Sequence, residues 1–279
     1  MNTAITPGVG LVVVCAVMVV AAAVVYGVAG LGRVTVAPWA AVRGAAQLAA
    51  VALILTAALA QLWSSLLVLA VMFGAAVATS ARRARAGGSG LWLSLALGAG
   101  LGAVLPMLLL SGVVPLTGVA LVPIGGIVSG GAMTATSLAA RRALDTIEER
   151  CGEVEAALGL GFTEHDARLE IIRPTAADAL LPGVDQTRTV GLVTLPGAFV
   201  GVLLATGSAA QAAAVQIMVL AGLLLAQSCA VAVTLELVAR ARVRRRAPTP
   251  PAADRSSQSL RARIAARAPV IPVELRRDR

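Results

Sequence analysis

Lysine is absent from this 279-residue chain, so all 23 of its basic residues are arginine. A Walker A loop needs a lysine to reach the nucleotide phosphates, and the chain therefore cannot bind ATP in that way. Acidic residues are also unevenly distributed, since residues 1–140 contain neither Asp nor Glu. A stretch of that length without carboxylates lacks the solvated polar face that a soluble core requires. It predicts stacked membrane spans.

Residues that carry chemistry are scarce as well. Aromatic residues make up 3% of the chain, too few for base stacking, so the net charge of +9 does not indicate a nucleic-acid partner. Cys15, Cys151 and Cys229 are isolated and predict neither disulfides nor a metal knuckle. We expect the single histidine, His165, to be a solvated helix residue. No nucleophile and base are paired, so we expect a protein that is not an enzyme.

Apolar residues are abundant, at 58% of the chain, with a mean hydropathy of +0.87. A hydrocarbon core about 30 Å thick takes roughly 20 apolar residues per helix. The continuous runs favour an all-α bundle over a barrel. The first run lacks a preceding basic segment, so we expect it to be an uncleaved helix. Seven runs qualify as spans: 8–31, 40–60, 62–80, 91–111, 116–139, 190–208 and 212–239.

Arginine sets the expected orientation. It is missing from the loops near 61–65, 111–115 and 208–211, and twelve arginines lie from Arg240 onward. Positive charge stays on the cytoplasmic side. We therefore predict a multi-pass protein of the cell (inner or plasma) membrane with its N-terminus outside and its C-terminus inside.

The chain divides into four parts: spans one to five in 1–140, a charged cytoplasmic loop at 141–189, two spans in 190–241, and a basic tail at 242–279. The loop holds ten of the fourteen carboxylates and is the expected coupling region. The Pro- and Arg-rich tail predicts disorder near the membrane, with anionic lipid as one possible partner.

The charged loop predicts a helical stalk and a short docking helix. Its first half has an apolar seam that would extend the fifth span as one helix, and Gly159 and Gly161 would stop that helix. Thr163 and Asp166 resemble a capping box for a second helix to about Arg173. We expect Pro174 to end or bend it. The seam comprises Leu144, Ile147, Cys151, Val154 and Leu158. A third short segment would reach Leu181, before Pro182-Gly183.

Several residues of the spans are candidates for helix packing or for the transport path. Small residues four apart allow close helix contact, and buried amides need a partner or a wet cavity. Pro196 and Gly197 predict either a local break, as in many transport paths, or a simple kink. The methionines are expected to pack rather than bind metal, and the metal ligands are unknown. The candidates are Gln47, Gly126, Gly130, Met133, Pro196, Gly197 and Gln216, with Gly201 as a partner for Gly197.

The predicted spans lack the buried ionisable residues that a proton- or ion-coupled transporter normally carries. Glu236 is the one carboxylate in a predicted span, and Arg240 lies four residues later, which favours a pair at the helix end over a proton relay. Without charge-relay chemistry and without its own ATP site, the chain would need a separate ATPase subunit.

The loop resembles the EAA loop of ABC-importer permeases, with Glu155-Ala156-Ala157, then Gly161, Ile171 and Pro174, although Arg173 replaces the usual Leu. A larger part of the chain resembles the FetB-type iron-export permease family, which includes the plant aluminium-tolerance permease. It runs through AVRGAAQL (41–48), VPIGGIVSGGAM (122–133), LGLGFTEHDARLEIIR (158–173), ALLPGVDQTRTVGLVTLPG (179–197) and VQIMV (215–219).

This resemblance implies a permease subunit that pairs with a second copy and with soluble ABC ATPase subunits. ATP would bind the partner, so no cofactor is expected on this chain. The implied cargo is iron or another metal, moving outward. The implied coupling residues are Glu155, Gly161, Arg168, Arg173 and Pro174.

Two other readings stay open at this point. One is an ABC permease for a small organic cargo such as a nucleotide sugar, which the plant relatives make conceivable. The other is a membrane scaffold that transports nothing, in which the charged loop serves only for interaction.

Overall fold

A computed structural model of the protein describes residues 8–58 and 61–245, with the side chains of 54–58 excepted. The predicted disorder of the tail falls mostly outside these residues. A 3₁₀ helix at Gly87–Trp92 precedes α4. The α-helices are α1 (Val9–Val28), α2 (Val36–Ala58), α3 (Leu62–Arg83), α4 (Leu93–Leu110), α5 (Gly118–Glu149), α6 (Cys151–Gly159), α7 (Glu164–Ala177), α8 (Leu181–Thr189), α9 (Gly197–Thr206) and α10 (Ala209–Ala239).

The all-α prediction is confirmed. Among the residues above, strand-type pairing is limited to an isolated bridge between Val190 and Thr194. Six helical segments are long and apolar enough to cross a membrane: α1, α2, α3, the 3₁₀ helix with α4, α5 and α10. The chain is therefore a multi-pass membrane protein.

The predicted span 190–208 is wrong as a single helix. The chain leaves α8 at Thr189, turns at Gly191 (φ +80°) and is extended at Pro196, so that α9 has only 10 residues. Pro196 lacks an N–H and cannot continue a helical ladder, whereas it fits the extended position before Gly197. Of the two readings of Pro196 and Gly197, the local break is the one found.

The bundle core is formed by α3, α4, α5 and α10, while α9 lies along α10 and α1 and α2 lie at the periphery. Helices α4 and α10 approach closely at Gly100, where an added Cβ would lie 2.7 Å from the carbonyl oxygen of Ala226. The predicted contacts at Gly130, Gly197 and Gly201 are wrong within this chain, because nothing lies within 4 Å of a Cβ there. Gly126 does pack, against Met72 of α3.

The two longest helices extend past the hydrocarbon region. At 1.5 Å per residue, α5 and α10, with 32 and 31 residues, are each roughly 46–48 Å long, well over the ~30 Å core. Their C-terminal ends pack with α7 in a cluster that includes Ala140, Leu144, Ile172 and Val238. These ends form a platform on which the charged region rests.

Three predictions for the charged region need correction. The stalk is not one helix, because α5 ends at Glu149 and Arg150 (φ −113°, ψ 29°) leaves helical geometry before α6. The seam is interrupted there, and Cys151 and Leu158 are exposed while Leu144 and Val154 are buried. Because the helix is interrupted at Arg150, the apolar residues before and after it do not form one continuous packed face.

Pro174 does not end α7, which continues to Ala177. A proline inside a helix removes one backbone bond, and burial of Ile172 and Ala176 on either side offsets that loss. Pro182 and Gly183 likewise do not follow the third segment but lie in the first turn of α8, where proline is well tolerated.

Candidate coupling site

Helices α6 and α7 form a hairpin at the end of the platform. Val154 of α6 packs against Ala167 and Ile171 of α7. Gly161 makes the turn with φ +93°, a conformation that favours glycine because it has no Cβ. The hydroxyl of Thr163 accepts the Asp166 backbone N–H at 3.2 Å, which confirms Thr163 as the N-cap of α7. The Asp166 carboxylate bonds to the Thr163 hydroxyl at 2.8 Å, whereas in a capping box it would accept the Thr163 backbone N–H.

The tip of this hairpin is apolar and exposed. Leu158, Leu160 and Phe162 are 41%, 81% and 49% exposed, although the surrounding helices are rich in charge. Exposed apolar clusters rimmed by polar residues mark interaction surfaces. We call these three residues, with Gly161, the coupling tip. The sequence analysis assigned Leu158 to the helical seam and did not single out Leu160 or Phe162. Their signal was three large apolar residues separated by single glycines.

The hairpin is attached to the bundle through α7. His165 Nε2 lies 3.1 Å from Glu236 Oε1 near the end of α10, and Arg168 contacts the Ala239 carbonyl at 3.5 Å while pairing with Glu164. At the other end of α7, Thr175 bonds to Thr146 at 3.2 Å. Asp178, just beyond α7, pairs with Arg142 of α5 at 2.6 Å. A force on the hairpin would therefore reach α5 and α10 together.

His165 is not merely solvated, as the sequence suggested. Its Nδ1 lies 3.0 Å from Asp166, and its other ring nitrogen faces Glu236. The hydrogen bond with Asp166, and next that with Glu236, raises the pKa of His165 above its ordinary value. Protonated His165 is thus an electrostatic link between α7 and α10. The predicted pair of Glu236 with Arg240 is also present, at 2.6 Å.

The predicted coupling residues take different positions on the hairpin. Gly161 lies in the coupling tip, and Glu155 is exposed on α6 nearby. Arg168 is largely covered and holds α7 to α10, so its position is that of an anchor rather than a contact surface. Arg173 and Pro174 are exposed more than two turns along α7 from the tip.

Residues 241–245, which we call the strap, follow α10 and pack on the platform opposite the hairpin. Ala241 has φ 53°, and the next residues turn back over the bundle. Arg244 exchanges bonds with Ser89, and the Arg242 guanidinium lies 5.1 Å from the centroid of the Trp92 ring. Arg245 pairs with Asp145 and, at 2.6 Å, with Glu148. A 340 Å³ cavity lies between this strap, α5 and α7.

The predicted packing or pathway residues separate into three locations. Gln47 is exposed on α2, and Met133 packs with Ala76, Val77 and Leu97. Gln216 is buried, at 4% exposure, beside the break that contains Pro196 and Gly197. Gln227, which the sequence analysis did not single out, is also buried and meets Gly183 of α8 and Gly131 of α5. Over 8–58 and 61–245, no group of three or more His, Cys, Asp or Glu is placed to hold a metal ion.

The family described as "Uncharacterised protein family (UPF0014)" matches residues 9–243. The chain is 34% identical over 160 residues to Protein ALUMINUM SENSITIVE 3 of Arabidopsis thaliana, covering 56% of this chain and 59% of that protein. It is 31% identical over 177 residues to the UPF0014 membrane protein STAR2 of Oryza sativa subsp. japonica, covering 62% of each.

A bacterial relative is the "Probable iron export permease protein FetB" of Escherichia coli (strain K12), 34% identical over 125 residues, covering 45% of this chain and 48% of that protein. The chain thus spans about half to three fifths of the length of these relatives. No solved structure matches the chain significantly.

Proposed function

The chain belongs to the uncharacterised protein family UPF0014, and on that basis we propose that it is the permease subunit of an ABC transporter driven by a separate ATPase subunit. A bacterial relative is named as a permease, which supports a transport role. In this proposal the N-terminus is outside and the charged region is cytoplasmic, as the arginine distribution favours. Two copies would pair, each binding one ATPase subunit.

The coupling tip is the single observation that carries the proposal. An exposed apolar cluster of Leu158, Leu160 and Phe162 on a charged hairpin lies outside the six candidate spans. The cluster is therefore not the lipid-facing side of a helix long enough to cross the membrane. A hydrophobic anchor surrounded by polar residues is the usual form of a docking hot spot.

The attachment of α7 gives the proposed coupling a physical route. Closure of the ATPase dimer would push on the tip, and α7 would pass that push to α10 through His165 and Glu236. It would also reach α5 through Asp178 and Arg142. Because both helices extend well beyond the hydrocarbon region, a lateral push at their ends acts on the whole bundle.

The ATPase complex can be tested by co-expression and copurification with candidate soluble ABC ATPases, beginning with any that a neighbouring reading frame encodes. Leu160→Asp and Phe162→Asp place charge in the tip without disturbing the packed residues Val154 and Ala167. We expect each to reduce recovered ATPase at least tenfold, because a buried anchor would become a desolvated charge.

Glu170→Ala is the matched control, since it changes an exposed α7 residue away from the tip. It should copurify like the wild type. Unchanged ATPase recovery with both tip variants would contradict the assignment of the tip. Failure of the wild type to bind any ABC ATPase would instead favour a scaffold.

The proposed cargo is iron or another metal, moving outward, by analogy with the bacterial relative named as a probable iron export permease. ATP-dependent uptake of ⁵⁹Fe into inside-out vesicles containing both subunits tests this directly. Transport of a small organic molecule without iron movement would favour the other cargo class.

A further inference from the structure

A cavity of 290 Å³ lies where the chain breaks between α8 and α9, against the N-terminal half of α10. Its walls include Gly191, Leu195, Pro196 and Phe199 of the broken segment, and Gln216 and Leu220 of α10. Gly183 of α8 lies against Gln227 of α10, and the cavity lies against Gln216, earlier in the same helix. The segment from α8 through the break to α9 therefore runs antiparallel to α10. Broken helices of this kind form substrate sites in many transporters.

Gln216 gives the cavity an unsatisfied polar group. The side chain is 4% exposed, yet its Oε1 atom has no hydrogen-bond partner among the residues that the structure describes. Buried amides are almost always bonded, because an unpaired polar group loses its hydration without compensation. A ligand with a hydroxyl or amine donor would satisfy it.

The start of α9 gives the cavity a positive end. Val200 N–H to the Pro196 carbonyl is the first backbone bond of this helix, at 3.2 Å, and Pro196 provides no side-chain cap. The amides of Gly197, Ala198 and Phe199 precede that bond and have no helical acceptor. Of this helix start, Pro196 and Phe199 line the cavity. Together with the helix dipole they favour an anion. The cavity-lining residues include no carboxylate, thiol or imidazole that would suit a bare cation.

We propose that this cavity binds the anionic group, carboxylate or phosphate, of a small molecule that also carries a hydrogen-bond donor. The α9 amides hold the anion, Gln216 accepts from the donor, and Leu195, Phe199 and Leu220 cover the rest. This inference rests on the proposed function in that it names a cargo chemistry. A metal would then enter as an anionic chelate, not as a free ion.

Binding can be measured on the full chain in nanodiscs, without any ATPase, by equilibrium dialysis of three probes: citrate, the Fe³⁺ complex of citrate, and Fe²⁺ alone. Citrate supplies carboxylates and one hydroxyl. We expect saturable binding of citrate, of its complex, or of both, and none of Fe²⁺ alone. Citrate binding would indicate an organic anion as cargo, and binding of the complex alone would indicate a chelate.

Gln216→Glu places a negative charge beside the anion and should weaken binding at least tenfold. Gln216→Leu removes only the acceptor and should weaken it about fivefold. The control Gln211→Leu changes an exposed amide on the same helix and should bind like the wild type. Should Gln216→Glu fail to fold, Gln216→Leu and the cavity-filling Leu195→Trp test the same site.

Unchanged anion binding in the Gln216 variants, saturable binding of Fe²⁺ alone, or no binding of either citrate species would each overturn the proposal. Because no ATPase is present, these results are independent of the copurification that tests the ABC assignment. Anion binding without an ATPase complex would leave the cavity assigned and the transporter role refuted.

Discussion

His165 shows how a single residue can fix the position of a whole helix. It is the only histidine in the chain, and its two ring nitrogens face Asp166 on its own helix and Glu236 on α10. Arg240 also pairs with Glu236, so two cations share one carboxylate. Only His165 among these groups changes charge near neutral pH.

The attachment of α7 should therefore depend on pH. Because the pKa of His165 is raised in the folded protein, its contribution to stability is fully present below its ordinary pKa of about 6.5. That contribution is lost as pH rises through the raised value. We expect amide protection in Glu164–Ala177, corrected for intrinsic exchange, to fall over this interval. His165→Gln should show a flat profile, and an equal fall in this variant would refute the role of the imidazole.

At the scale of the helices, Gly100 is a point of close contact between α4 and α10. An added Cβ at Gly100 would lie 2.7 Å from the backbone oxygen of Ala226, an atom that cannot move without shifting α10. Gly98 and Gly102 on the same helix have nothing within 4 Å. The close contact with α10, and not a general need for backbone flexibility, therefore explains why Gly100 is a glycine.

Gly100→Ala should destabilise the bundle by about 1–3 kcal/mol, because overpacking forces the helices apart. Gly98→Ala should be neutral or stabilising, since alanine is the better helix former by about 1 kcal/mol. The measurement is thermal unfolding of each variant in the same detergent. Equal shifts for the two variants would show that α4 and α10 do not meet at Gly100.

The sequence allowed these helices to be located but not their contacts. Long apolar runs predicted α1 to α5 and α10, because the bilayer demands about 20 apolar residues whatever the tertiary fold. Hydropathy could not separate one crossing helix from a break followed by α9, since both are apolar. Only Pro196 and Gly197 indicated the break. Glycine spacing pointed to Gly130, Gly197 and Gly201, whereas the close contacts depend on which faces meet.

The candidate coupling site was predictable in outline. The glycines and Thr163 placed a turn and a helix start correctly, because both follow from local backbone chemistry. The break at Arg150 was not foreseen, nor was the covering of Arg168, which depends on the end of α10. Leu160 and Phe162 could have been recognised, since apolar residues in a charged loop need a partner.

At the scale of the whole molecule, α6 and α7 lie together at one end of the bundle. The C-terminal ends of α5 and α10 and the strap that holds Arg245 lie on that same side. The arginine distribution predicts that this is the cytoplasmic side. Positive charge, the coupling tip and the proposed ATPase surface would then coincide.

The chain's own cysteines provide a test of this orientation. Cys151 is exposed at the start of α6, whereas Cys15 lies within the apolar helix α1 and Cys229 within α10. A charged, membrane-impermeant maleimide should therefore label Cys151 in inside-out vesicles and not in right-side-out vesicles. Cys151→Ser should abolish that labelling and serves as the control. Labelling of Cys151 from the outer side of intact cells would invert the topology and place the coupling tip beyond the reach of any cytosolic ATPase.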